Sequence, residues 1–224
     1  MSGTILAIGG GARFDASALF EDLILELAGA ARPRICFVPT AKAHEPERVD
    51  EFYEAFGRRD CEPSHLELFG IPDDPAGQLE RQDVVYVGGG NTANLLALWR
   101  VHGIDAALRA AWERGAVLAG WSAGANCWFE DCITDSFGSR LRPLGDGLGF
   151  LAGSFCPHYD GDPERRRTFT KSVRGGFPAG LAADDDAAFR FEGTRFVEVV
   201  SQRAGARGYR VTAAGEEPLE ARLL

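Results

Sequence analysis

The segment Ala116-Val117-Leu118-Ala119-Gly120-Trp121-Ser122-Ala123-Gly124-Ala125-Asn126 opens as a short apolar strand, breaks at a glycine and continues as a helix-competent stretch. Its centre, Gly120 to Gly124, satisfies G-x-S-x-G. Small residues on both sides of a serine permit a sharp turn that lifts the hydroxyl clear of a sheet. A helix beginning just after it, able to run from Ala125 to Phe129, turns backbone N–H groups and a positive dipole end toward that hydroxyl. An incidental serine in a tight turn gives the same pattern. The strand–turn–helix setting favours a nucleophile.

Outward from this segment the chain alternates β-rich runs with amphipathic stretches. Ile5–Ile8 reads as a buried strand closed by Gly9-Gly10-Gly11, and Asp15–Ala30 has helical spacing of Leu19, Leu23 and Leu27. Ile35–Val38, Leu66–Phe69 and Val84–Val87 read as further strands. Helices are expected over Glu47–Phe56, Ala93–Val101 and Asp105–Arg114. Continuous apolar strands alternating with helices predict an α/β fold with a parallel sheet flanked by helices on both faces. Beyond about residue 130 the texture changes to Gly/Pro-punctuated short strands, among them Ala188–Phe191 and Phe196–Val200. No repeat or linker divides the chain, so residues 1–224 are read as a single domain.

Composition narrows the function. A formal charge of −9 argues against a nucleic-acid partner bound through phosphate neutralisation. No apolar run approaches the roughly 18–20 residues that cross a bilayer, and the first residues lack a basic n-region, so no membrane association is expected. The five cysteines, Cys36, Cys61, Cys127, Cys132 and Cys156, show no CxxC spacing. Reduced, packed thiols and a cytoplasmic location follow, with neither a metal nor a cofactor implied.

A serine hydroxyl needs a base. Of the four histidines, His44 sits among polar loop residues, His65 opens a strand and His102 sits at a helix end beside Gly103. His158, in Phe155-Cys156-Pro157-His158-Tyr159-Asp160-Gly161, lies where a strand ends and the chain turns, and strand ends are where sites gather in open α/β sheets. The orienting acid is sought between serine and histidine, among Glu130, Asp131, Asp135 and Asp146. Asp135 follows a short apolar segment and is the preferred member. The run Gly88-Gly89-Gly90-Asn91-Thr92 ends a buried strand, and an exposed N–H there could complete an oxyanion hole with the Ala123 N–H. Asn91 is a candidate substrate contact. A phosphate cradle is disfavoured, since neither GxGxxG nor GxxxxGK[ST] is present.

Taken together, Val87-Gly88-Gly89-Gly90-Asn91-Thr92, Gly120 to Asn126 and Pro157-His158 resemble the dipeptidase E (aspartyl dipeptidase) and cyanophycinase family of serine peptidases. The resemblance covers most of the chain and is tightest from Val84 to His158. It implies a fold like that of class I glutamine amidotransferases. It further implies Ser122 as nucleophile, His158 as base, Asp135 as acid and oxyanion donors at Gly90 and Ala123. Relatives that cleave after N-terminal aspartate are expected to carry an R-x-x-R-like arrangement past the histidine. Here the segment reads Pro163-Glu164-Arg165-Arg166-Arg167, with the charge present and the spacing different. Asp162-Pro163 predicts a helix start, from which Arg165 or Arg166 could read a carboxylate.

The expected activity is hydrolysis of short peptides, dipeptides with N-terminal aspartate foremost, through a Ser-His-Asp triad and an acyl-enzyme. Alternatives are a non-aspartyl specificity on the same scaffold and a non-catalytic small-molecule-binding module. An ordinary α/β-hydrolase would place its acid and base much further along the chain, and an amidotransferase needs cysteine at position 122. A small peptide is the expected partner, and the sequence leaves room for a homodimer.

Overall fold

Five short segments pair side by side in one direction in the computed structural model, which describes residues 3–11, 14 and 19–224. These are β1 (Thr4–Ile8), β2 (Arg34–Val38), β3 (Glu62–His65), β4 (Val84–Val87) and β5 (Val117–Trp121), ordered β1-β5-β4-β2-β3. The apolar strands β1, β4 and β5 are buried along nearly their whole length because helices cover both faces. On one face, α1 (Leu19–Ala28) and α2 (Pro46–Phe56) set Phe20, Ile24, Phe52 and Phe56 against Leu6, Ile8, Phe37 and Tyr86. On the other, α3 (Pro75–Glu80), α4 (Thr92–His102) and α5 (Ile104–Glu113) bring Leu79, Leu95, Trp99 and Leu108 to Ile5, Val38, Val85 and Leu118.

The parallel order stops at β1. After α6 (Ala123–Asn126) the chain builds β6 (Phe129–Thr134), β7 (Arg142–Gly145) and β8 (Leu151–Cys156), then α7 (Pro163–Arg174) and β9 (Gly180–Ala183). It then returns to the first sheet with β10 (Ala187–Glu192), antiparallel to β1, and β11 (Arg195–Ser201), antiparallel to β10. β12 (Gly208–Thr212) and β13 (Gly215–Leu219) complete a second sheet ordered β13-β12-β9-β8-β6-β7, and β14 (Ala221–Leu223) closes the eight-stranded first sheet. The architecture is thus a mixed α/β fold with flanking helices, in which five strands form the parallel sheet read from the apolar runs. Aromatic rings tie the sheets together: Phe129 and Phe155 stack at 4.8 Å, and Phe155 meets Phe189 of β10 edge-on at 6.2 Å.

Three expected elements differ. Leu66–Phe69 is not a strand; β3 lies just before it, at Glu62–His65, as an edge strand that tolerates Pro63. Leu66 and Leu68 are nonetheless buried, which is what made the run look strand-like. The helix after Ser122 ends at Asn126, because Phe129 onward is claimed by pairing with β7 and β8. The helix expected over Asp15–Ala30 is seen from Leu19 to Ala28, its beginning lying outside the described residues.

Candidate active site

Ser122 directly follows β5 with φ 55° and ψ −113°, a conformation that a residue with a side chain seldom adopts. The surroundings enforce it. The Ser122 N–H donates to the Ile8 carbonyl at 3.1 Å, and the Ser122 carbonyl accepts from the Ala125 and Asn126 N–H groups at 3.0 and 2.9 Å. The glycines of G-x-S-x-G are required by contact. A β-carbon on Gly120 would sit 2.3 Å from the Gly124 carbonyl oxygen, and one on Gly124 would sit 2.3 Å from that of Val87.

His158 follows β8 in the second sheet and also has positive φ, 54°. Its Nε2 lies 2.9 Å from Ser122 Oγ, and its Nδ1 lies 2.6 Å from Asp185 Oδ1. This network sets the tautomer: Nδ1–H donates to the carboxylate, leaving Nε2 free to accept the serine proton. Asp185 sits on the turn between β9 of the second sheet and β10 of the first. The site therefore lies on the seam between the sheets, each supplying part of it. The hydrogen bond from His158 holds the Asp185 carboxyl below the usual carboxylate range, against the opposing effect of its partial burial.

The acid expected at Asp135 is thus not the one bonded to His158. Asp135 directly follows β6, its side chain is 56% exposed, and its Oδ2 pairs with Arg165 Nη2 at 3.3 Å. Of the other carboxylates considered, Glu130 accepts the Gly153 N–H and Asp146 holds Arg100 with both oxygens. Asp185 follows His158 by 27 residues, outside the stretch between serine and histidine where the carboxylate was expected. One signal was available: Asp184-Asp185-Asp186 joins two apolar strands, and Gly9-Gly10-Gly11 must lie close to something. A β-carbon on Gly10 would fall 2.0 Å from Asp185 Oδ1 and 2.3 Å from His158 Nδ1.

The Gly88–Asn91 loop lies over the serine. A β-carbon on Gly89 would be 3.2 Å from Ser122 Cβ, while Gly90, at φ 141°, has no room for one against the Ala41 carbonyl oxygen. Among the described residues the Gly90 N–H makes no backbone hydrogen bond. Ala123 opens α6, so its N–H is one of those a helix leaves without an internal acceptor. Asn91 is otherwise engaged. Its Oδ1 caps α4 through the Asn94 N–H at 2.8 Å, and its Nδ2 donates to the Ser136 carbonyl at 2.9 Å. These bonds use one of the two amide N–H donors and one of the two oxygen lone pairs, so a second donor and a second acceptor site remain on the side chain.

The helix expected from Asp162-Pro163 is α7, with the Asp162 side chain accepting from the Glu164 N–H at 2.9 Å. Its three arginines part company, as residues about 100° apart on a helix must. Arg165 turns inward and is only 8% exposed. Arg166 is clasped by Glu216 and lies over the rings of Tyr159 and Tyr209 at 5.3 and 5.2 Å, so it is a structural tie to β13 and not a free carboxylate reader. Arg167 is exposed and pairs with Glu164. All five cysteines are buried and unpaired, and desolvation pushes the Cys36 and Cys132 thiols up to about 12. Among the described residues no His/Cys/Asp/Glu group is arranged to hold a metal ion, and no helix is long and apolar enough to cross a membrane.

Residues 5–199 match the family model described as peptidase family S51. The chain is 46% identical over 220 residues to an uncharacterized peptidase of Bacillus subtilis (strain 168), covering 96% of this chain and 95% of that one. It is 38% identical over 103 residues to peptidase E of Citrobacter koseri, covering 45% of each. Among solved structures, a peptidase from an acI-B1 actinobacterium superposes with a TM-score of 0.75 at 18% identity, over 99% of this chain and 95% of that chain. A putative peptidase E from Listeria monocytogenes EGD-e superposes at 0.66 and 17%, over 90% and 99%.

Proposed function

Since the chain belongs to peptidase family S51 and is a serine-type peptidase, we propose that it cleaves short peptides with Ser122 as nucleophile, His158 as general base and Asp185 as the orienting acid. The observation that carries this reading is the unbroken line from Ser122 Oγ through both ring nitrogens of His158 to Asp185 Oδ1, at 2.9 and 2.6 Å. His158 Nε2 takes the serine proton as Oγ attacks the scissile carbonyl carbon. Asp185 stabilises the resulting imidazolium. The carbonyl oxygen, now an oxyanion, is received by the N–H groups of Gly90 and Ala123. The tetrahedral species collapses as His158 protonates the leaving amine, giving an acyl-enzyme. Water, activated by the same imidazole, then releases the acid and restores the hydroxyl.

Specificity rests on Arg165. Its guanidinium is the buried cation of α7, and the carboxylate beside it, Asp135, is mostly exposed and makes a single 3.3 Å contact. A substrate aspartate can take the place of Asp135 on Arg165, with the bidentate geometry that an arginine offers a carboxylate. The same pair supports a second reading, in which Asp135 already neutralises Arg165 and the substrate side chain is not acidic. Hydrolysis of Asp-X and Leu-X dipeptides by Asp135→Asn and Arg165→Ala variants separates the two. On the aspartyl reading Asp135→Asn raises kcat/KM for Asp-X, and Arg165→Ala lowers it by roughly 30-fold or more, the loss of one partner of a desolvated charge pair. An unaltered ratio of Asp-X to Leu-X hydrolysis in both variants removes that reading.

A further inference from the structure

The turn that carries Asp185 is held from outside by three side chains, those of Arg203, Gln202 and Asp160, which are hydrogen-bonded to neither Ser122 nor His158. Arg203, in the loop after β11, donates from Nη2 to Asp160 Oδ2 at 2.6 Å and to the Asp185 carbonyl at 2.9 Å. Its Nε donates to Asp186 Oδ2 at 2.9 Å, and Gln202 Nε2 reaches the other Asp186 oxygen at 3.0 Å. Asp160 completes the circuit by accepting the Asp185 N–H on Oδ1 at 2.8 Å. The loop of His158 thus grips Asp185 twice, through the imidazole and, two residues on, through the Asp160 carboxylate.

This turn has reason to need a clamp. Asp186 has φ 66°, unfavourable for a residue with a β-carbon, and such a conformation persists only where neighbours over-determine it. Arg203 spans a side chain on each flank of Asp185 and the Asp185 carbonyl between them, which requires the planar, multi-donor fork of a guanidinium. Asp184, Asp185 and Asp186 would otherwise repel one another across a turn that must present only the middle carboxylate to His158. The arginine lies past the last residue matched by the family model.

We propose that Arg203 and Asp160 are positioning residues that hold Asp185 at hydrogen-bonding distance from His158, so that the reactivity of Ser122 depends on a clamp from outside the triad. The inference rests on the triad reading above. A double-mutant cycle tests it, with the second-order rate of Ser122 labelling by a fluorophosphonate probe as readout and thermal melting as the check on folding. Arg203→Ala alone is expected to slow labelling by about 10- to 100-fold, since displacement of a catalytic group by about 1 Å costs on the order of 10²-fold. Introduced into Asp185→Asn, the same change is expected to alter the rate by less than about two-fold, because an arginine that acts through Asp185 has nothing left to act on. Equal factors in both backgrounds, or an Arg203→Ala rate within about two-fold of wild type, overturn the proposal. Should Arg203→Ala not fold, the cycle is run with Asp160→Ala, where additivity is equally fatal. An Asp185→Asn protein that labels at the wild-type rate overturns the triad itself, and the clamp with it.

Discussion

His158 Nδ1 and Asp185 Oδ1 stand 2.6 Å apart across 27 residues of chain, the histidine supplied by one sheet and the aspartate by the turn into the other. Gly10 is the third party to this contact, since a β-carbon there would meet both side chains. Gly10→Ala is therefore expected to lower kcat by at least about tenfold by pushing imidazole and carboxylate apart, while the melting temperature moves little because the displaced groups are half-exposed side-chain ends. Steady-state kinetics with thermal melting checks this. Full activity in a folded Gly10→Ala protein would mean that the imidazole does not depend on Asp185.

The elbow makes a stability prediction. Ser122 at φ 55° suits glycine better than any residue with a β-carbon. Both Ser122→Gly and Ser122→Ala should abolish hydrolysis, yet the glycine variant should be the more stable by about 1–3 kcal/mol, the strain typical of such positions. Chemical denaturation of the two variants measures it. Equal stabilities would place the strain elsewhere.

Much of this was legible in advance. Gly120 to Gly124 marked the elbow because the motif stands between an apolar strand and a helix start, two local signals that agree. The place of His158 at a strand end and the Asp162-Pro163 start of α7 are likewise local signals. The carboxylate bonded to His158 was not legible, because the partner of an imidazole is chosen by spatial closeness, and the β9–β10 turn reaches the site only through the pairing of strands in two sheets. The split fate of Arg165 and Arg166 depended on the same long-range order, since Glu216 and Tyr209 arrive from the C-terminal hairpin. Leu66 and Leu68 misled for the opposite reason: burial alone made a loop resemble a strand.

Glu21 predicts a pH effect away from the chemistry. It lies buried in α1 with the Tyr86 hydroxyl donating to it at 3.1 Å, and desolvation raises its carboxyl to about 7. A carboxyl whose folded pKa is raised favours the fold while protonated, and that contribution is lost as pH climbs from about 4.5 through about 7. Glu21→Gln, which cannot ionise, should thus gain stability relative to wild type as pH rises, by on the order of 1–3 kcal/mol between pH 5 and pH 8. Melting curves at the two pH values test it. A difference that does not change with pH would mean that Glu21 ionises without penalty.

The most direct test of the triad compares two aspartates on one substrate. Asp185→Asn keeps the shape of the side chain but lets the imidazole adopt the wrong tautomer, and kcat for peptide hydrolysis should fall by about 10⁴, the cost of this change in serine proteases. Asp135→Asn, which alters a carboxylate bonded to Arg165 and not to His158, should leave kcat for a Leu-X dipeptide within about tenfold of wild type. The opposite ranking, with Asp135→Asn crippling and Asp185→Asn nearly silent, would contradict the assignment.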